Sequence, residues 1–184
     1  MRISIPIVCS VVLAASAANA AEPTGEWLVE DGNAMIRIEN CGGILWGVVA
    51  WEKAPGRDTN NPDPAMRSRP TLGMPILLGL KPVMQKRWEG NQEAWEGHVY
   101  NAKNGKMYDV SVRLASPATL HIEGCVLGGL FCGGQDWARA QTAPPPAQAT
   151  PAPKAKSAAK NAQAAAPAVS DVCSRVSSLP GGTH

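Results

Sequence analysis

The chain has 184 residues, with 17 Lys+Arg against 15 Asp+Glu for a formal net charge of +2, and 45% of its residues are hydrophobic. That is one domain's worth of apolar sequence, and the near-neutral balance excludes the strongly basic surface on which nucleic-acid binding rests. The charge is unevenly spread: residues 21–140 carry 12 Lys+Arg against 14 Asp+Glu, whereas residues 141–184 carry Lys154, Lys156, Lys160 and Arg175 against Asp171.

Residues 1–20 read as a signal peptide, with a cation at Arg2, an apolar stretch from Ile3 to about Ala15, and small residues Ala18 and Ala20 before a cut after Ala20. The stretch is shorter than the roughly 20 residues that span a bilayer and is broken by Pro6, so it predicts export to the periplasm and no membrane span. Removing it leaves Cys41, Cys125, Cys132 and Cys173. An even count in an oxidising compartment favours disulfides, and no CxxC pair or paired His supports a metal site.

From residue 21 to about 140 the pattern is β throughout. "EWLVE" and "AMIRIE" flank the turn Asp31-Gly32-Asn33, and "ILWGVVAW" and "PILLGL" supply further apolar strands. Between those two lies "GRDTNNPDPAMRSRP", far longer than a hairpin connection of two to five residues. Asn61-Pro62 and Asp63-Pro64 favour extended or turn backbone, and Asx side chains close local turns, so this loop is expected to be ordered. Two uses are open to it: a plug in which Arg67 and Arg69 pair with Asp58 and Asp63, or a lid offering Arg57, Arg67 or Arg69 to an anionic group.

"EGHVY" and "MYDVSVRL" read as a hairpin through Asn104-Gly105, with Tyr108, Val110, Val112 and Leu114 on one face. "TLHIEGCV" alternates through Leu120 and Ile122, and "LFCGGQDWARA" gives the last strand. Gly128-Gly129 is a turn signal midway between Cys125 and Cys132, so a hairpin centred there sets the two cysteines opposite each other. A two-residue turn makes them a hydrogen-bonded pair, and a four-residue loop from Leu127 to Leu130 a closer non-hydrogen-bonded pair. Either register predicts a Cys125–Cys132 disulfide.

About eight short antiparallel strands in roughly 120 residues must close or stack, because open edges invite aggregation. An all-β, up-and-down barrel satisfies the count, with a β-sandwich as the alternative. The barrel makes the first and last strands neighbours, which would set Arg139 over the Trp27 ring. Leu45, Val48, Leu78, Val110 and Leu120 are the candidates to line its interior around a small, mostly apolar ligand. The rival is a structural or protein-interaction module with a filled core. No cofactor motif is present. His98 and His121 lack a neighbouring nucleophile motif, and Glu89, Glu93 and Glu96 read as a polar rim, so no catalytic residue is assigned.

Residues 141–184 turn Ala/Pro-rich, with almost no large apolar side chain, and predict a disordered tail whose basic residues could touch an anionic envelope surface. Val172 and Val176, four apart, allow one short helical turn there. A free tether of this kind would be removable without loss of stability in the body, whereas a large loss would mean that the tail docks through Cys173 paired with Cys41.

The stretches "GEWLVEDGNAMIRIENCGG", "DTNNPDPAMRSRPTLGMPIL", "WEGHVYNAKNGKMYDV" and "IEGCVLGGLFCGGQDWARA" resemble a bacterial family of exported proteins, the domain of unknown function 2147. The resemblance implies a lipocalin-like β-barrel in the cell envelope that binds a small hydrophobic or lipid-like molecule, and it implies no reaction. Where the family pattern has Leu-Cys-Gly, this chain reads Leu45-Trp46-Gly47, which removes the nearby partner implied for Cys41 and leaves its pairing open.

Overall fold

The computed structural model describes residues 22–87, 90–126, 131–140 and 172–177. The leader expected over 1–20 and most of the expected tail lie outside them. Eight strands follow one another: β1 (Gly25–Leu28), β2 (Ala34–Cys41), β3 (Ile44–Glu52), β4 (Pro75–Arg87), β5 (Gly90–Asn101), β6 (Lys106–Ser116), β7 (Thr119–Val126) and β8 (Phe131–Arg139). Each pairs antiparallel with the next, and β1 returns to β8 through Trp27 opposite Arg139 and Leu28 opposite Ala138, so the sheet is a closed barrel rather than a sandwich. Closure pairs every strand on both sides over at least part of its length. Local chemistry sets the tight turns. Asp31 Oδ1 accepts from Asn33 N–H at 3.0 Å in the β1–β2 turn, and Gly42 and Gly43 take φ of 69° and 91° between β2 and β3, where L side chains rarely fit.

One correction concerns length. β4 and β5 run well past the apolar segments that announce them, so Glu93 and Glu96 sit on a strand rather than in a loop, and Glu89 lies outside the described residues. Pairing of β3 with β4 ends at Leu45 opposite Leu80, whereas β4 stays paired with β5 out to Arg87 opposite Gly90.

Up-and-down connection puts the β1–β2, β3–β4, β5–β6 and β7–β8 connections at one end of the barrel and the others at the opposite end. That opposite end is sealed. Trp27 is fully buried, donates from Nε1 to the Pro23 carbonyl at 2.8 Å, and lies 4.1 Å from the Arg139 guanidinium, a cation–π contact. Arg139 also donates to the carbonyls of Pro117, Thr24 and Glu22, at 2.8, 2.9 and 2.6 Å, which ties the first described residues and the β6–β7 turn to the last strand. Behind this seal Leu45, Leu80, Val112 and Leu120 fill the bore with almost no exposed surface.

Two of the expected inward residues face outward, Val48 by simple alternation in β3 and Leu78 through a phase shift in β4. Val48 is three residues from Leu45, an odd spacing that turns it to the outside of β3. There it packs against Val172 and Val176 of a short helix, α1 (Val172–Ser177), and all three are buried. In β4 the register slips between Leu78 and Lys81, and Gly79 takes φ of 63°, so Leu77 and Leu80 both reach the core. Leu78 instead stands opposite His98, on the outer face.

The helix corrects the expectation of a wholly free tail. Cys173 is bridged to Cys41 across 132 residues of chain, and α1 covers the outside of β2 and β3 at that point. The second disulfide joins Cys125 to Cys132, which stand opposite each other with Cα atoms 4.1 Å apart. The strands end at Val126 and resume at Phe131, the spacing of a four-residue loop; Gly128-Gly129 itself lies outside the described residues.

Candidate functional site: a half-filled barrel and its loop

The open half of the barrel holds a cavity of about 950 Å³. Ile36, Val49, Val99, Val110, Ile122 and Trp137 form its apolar wall. Two facing glycines widen it: Gly124 stands opposite both Val110 and Gly133, and a Cβ at Gly124 would meet only the Asp109 carbonyl oxygen, at 3.8 Å, while one at Gly133 would meet nothing within 4 Å. Without side chains, these two glycines keep the bore hollow. Of the five apolar candidates only Val110 lines the cavity. Leu45 and Leu120 belong to the filled half, and Val48 and Leu78 face outward for the reasons given above.

The long β3–β4 loop stands at the mouth and is built around a buried carboxylate. Asp58 is fully buried. Its Oδ1 accepts from the Tyr100 hydroxyl at 2.7 Å, and its Oδ2 from Asn61 Nδ2 at 2.6 Å and from Arg69 Nε and Nη2 at 2.9 and 2.8 Å. Burial alone would raise the Asp58 carboxyl, but these hydrogen bonds and the Arg69 charge outweigh it and hold the group below the ordinary carboxylate range. Burial, followed by the hydrogen bond to Asp58 and its charge, pushes the Tyr100 phenol upward.

The rest of the loop is closed by its own polar side chains. Asn61 Oδ1 accepts from Asp63 N–H, and Asp63 Oδ1 from Ala65 N–H, both at 2.9 Å, the second capping a single 3-10 turn over Pro64–Met66. Arg67 donates to the Asn61 carbonyl at 2.8 Å rather than to a carboxylate. Arg67 and Arg69 are thus spent on folding the loop, while Arg57 donates to the Ser68 carbonyl and lines the cavity rim. Of the expected plug pairings Arg69 with Asp58 is present, whereas Arg67 and Asp63 each bond to loop backbone instead.

This loop rests on the β5–β6 turn. Asn60 Nδ2 donates to the Lys103 carbonyl at 2.9 Å, and Lys103 Nζ reaches Asp31 at 3.1 Å in the β1–β2 turn, joining two connections across the rim. Hydrogen bonds from Asn33 N–H and Lys103 lower the Asp31 carboxyl. At Gly105, where φ is 68°, an added Cβ would come within 1.8 Å of the Asn60 carbonyl oxygen. Gly105→Val should therefore lift the loop off the turn. Hydrogen exchange is the direct measurement, and amides of residues 58–71 are expected to exchange about tenfold faster or more, with the β6 and β7 amides unchanged.

The histidines are not drawn into this cavity. His98 meets Asp109 at 3.0 Å and His121 meets Asp136 at 2.6 Å, both pairs on the outer face of β5 to β8, and no hydroxyl nucleophile contacts either ring among the described residues. Sequence reasoning missed Tyr100 as the partner of Asp58. Asn61, by contrast, is announced by its Asn-Pro step, while nothing in the sequence around Tyr100 marks it.

The family described as an uncharacterised protein conserved in bacteria, DUF2147, matches residues 25–139, a span that takes in all eight strands. The chain belongs to the DUF2147 family. A solved structure of a protein from the human pathogen Helicobacter pylori, described as belonging to the lipocalin family, is similar to this DUF2147 barrel at 20% identity and a TM-score of 0.57, covering 66% of this chain and 85% of that one. At that identity the likeness concerns the fold, which is lipocalin-like. Comparison with curated proteins gives no match. Among the described residues of this DUF2147 chain, no helix is long and apolar enough to cross a membrane.

Proposed function

We propose that this protein binds a small, mostly apolar molecule in the open half of its barrel, without catalysing a reaction, and that it works outside the cytoplasm as an exported protein. The observation that carries the binding reading is the cavity of about 950 Å³, whose wall is aliphatic and aromatic and whose rim is polar. Pockets of roughly 300–1,000 Å³ with such walls hold molecules of drug-like size. A filled interaction module would have no use for the Gly124–Gly133 pair, which withholds side chains from the bore. Two disulfides are in keeping with export.

The ligand's polar end would sit at the rim. Among the described residues Arg57 pairs with no carboxylate, and the Thr71 hydroxyl, buried in the cavity wall, has no partner. Lys103 is offset by Asp31, and Arg67 and Arg69 are committed to the loop, so any acidic head would be met by Arg57 rather than by a cluster of cations.

Anilinonaphthalene sulfonate, with apolar rings and one anionic group, is a suitable probe. It should bind the folded protein with enhanced fluorescence, and mass spectrometry of natively purified protein should find an extractable apolar molecule. Gly124→Phe projects a ring into open space, so it should abolish probe binding while leaving the thermal midpoint within about 2 °C of the parent, the scale of a surface change. Undiminished binding by Gly124→Phe would refute the cavity as the site.

A further inference from the structure

The outer face of the β7–β8 hairpin carries side chains that a disulfide staple does not need. Leu120 and Ile122 point into the core, so His121, Glu123 and Cys125 form one outward line on β7. Across from them on β8 stand Asp136, Gly134 and Cys132. Glu123 and the two sulfurs already lie close, with a carboxylate oxygen and both Sγ atoms within 4.8 Å of one another.

His121 is set up to join them. Its Nδ1 lies 2.6 Å from Asp136 Oδ1, which favours the tautomer with the proton on Nδ1 and leaves the Nε2 lone pair available. Its Nε2 is 4.0 Å from Glu123 Oε2. The ring lies over Gly134, where a Cβ would approach both Cε1 and Nε2 to 2.9 Å, so the absent side chain gives the imidazole its place between Asp136 and Cys132. One carboxylate orients the histidine, its other nitrogen faces a second carboxylate, and that carboxylate lies beside the two sulfurs; together these are the donor types of a tetrahedral zinc site.

We propose that the reduced hairpin is a Zn²⁺ site, with His121 Nε2, a Glu123 carboxylate oxygen, Cys125 Sγ and Cys132 Sγ as ligands, and that the disulfide is its closed, metal-excluding form. The chemistry balances as follows. A dithiol reductant gives two electrons and two protons to the Cys125–Cys132 bond, which breaks to two thiols as the reductant closes to its own disulfide. Zn²⁺ then displaces the two thiol protons and binds the thiolates. Sulfur in the disulfide has no thiolate charge to offer, so metal binding depends on the redox state. Cys132 and Val126 also line the cavity rim, which puts the site beside the mouth without making it part of the apolar pocket.

The test uses the full chain, reduced with a phosphine that is removed under anaerobic conditions, then titrated with Zn²⁺ against a chromogenic chelator and with Co²⁺. The reduced protein should take up about one metal per chain, with a thiolate-to-cobalt charge-transfer band, and the oxidised protein should take up none. Cys125→Ser/Cys132→Ser retains the Cys41 and Cys173 thiols and should lose binding. His121→Ala and Glu123→Gln, both on the outer face, should each weaken it at least about tenfold, and Asp136→Asn about tenfold through the histidine. Three results would overturn the proposal: equal uptake by the oxidised protein, uptake retained in the double-serine variant, or affinity unchanged by both His121→Ala and Glu123→Gln.

Discussion

Replacing Cys41 and Cys173 together with serine should cost the full chain about 2–5 kcal/mol of stability, read by denaturant unfolding of the oxidised protein. The bridge spans 132 residues, so in the unfolded chain it restrains a loop that contains nearly the whole barrel. Chain-entropy reasoning makes such a restraint worth more as the loop grows. The Cys125–Cys132 bridge encloses a sequence separation of only 7, and its loss should cost about 2 kcal/mol at most. A second effect adds to the first. An isolated helix of six residues is far below the roughly 12–15 needed for marginal stability, so α1 stays in place through its bridge and through Val172 and Val176. Without the bridge it should detach and expose Val48. A change below about 0.5 kcal/mol, the range of ordinary surface substitutions, would show that the helix and its bridge do not support the barrel.

Which parts of this structure could be read from sequence follows from the range of the interactions. The alternation in "MYDVSVRL" and "TLHIEGCV" is local, and it places Val110, Val112, Leu120 and Ile122 on the inner face as they are found. Closure is long-range, yet it was legible, because a closed up-and-down barrel must put Trp27 beside Arg139 whatever the loops do. The inward sense of β4 was not legible: one residue at Gly79 shifts the phase, and a bulge leaves no period to read. The length of β4 was hidden by Pro82, which reads as a strand breaker but is tolerated where the strand has no β3 partner. The docked helix was legible as a possibility, in the Val172–Val176 spacing and in Cys41 and Cys173, but not as a certainty, since its stability comes from a partner 132 residues away. At the candidate site the apolar wall could be guessed in kind but not in position. What separates the hollow half from the filled half is the facing pair Gly124 and Gly133, and a glycine gives no sign in sequence of whether it serves a turn or an empty wall.

Asp58→Asn should cost about 3 kcal/mol and open the β3–β4 loop to proteolysis, although the substitution changes almost no volume. All the groups around the carboxylate are donors: the Tyr100 hydroxyl, Asn61 Nδ2, and Arg69 Nε and Nη2. An amide offers one acceptor and turns its NH₂ toward at least one of those donors, leaving buried groups unsatisfied and the Arg69 charge without its partner. Arg69 is 37% exposed and regains some water, which keeps the cost at the lower end of the range of about 3–5 kcal/mol for a broken buried pair. The pH dependence has a definite sign. The folded-state value of Asp58 lies below its ordinary 3.8, so its contribution is fully present above pH 3.8 and is lost as pH falls through the lower folded value. Tyr100 acts in the opposite direction. Its folded value lies above 10.0, so its contribution is complete below pH 10.0 and is lost as pH rises through the higher folded value. Cleavage within the loop, followed against pH, should therefore stay low across the neutral range and rise only at the two extremes. In Asp58→Asn the acid limb should disappear, with cleavage already high at neutral pH. A variant that resists cleavage like the parent at pH 7 would mean that the loop is held by its contact with Gly105 and Lys103 rather than by the buried carboxylate.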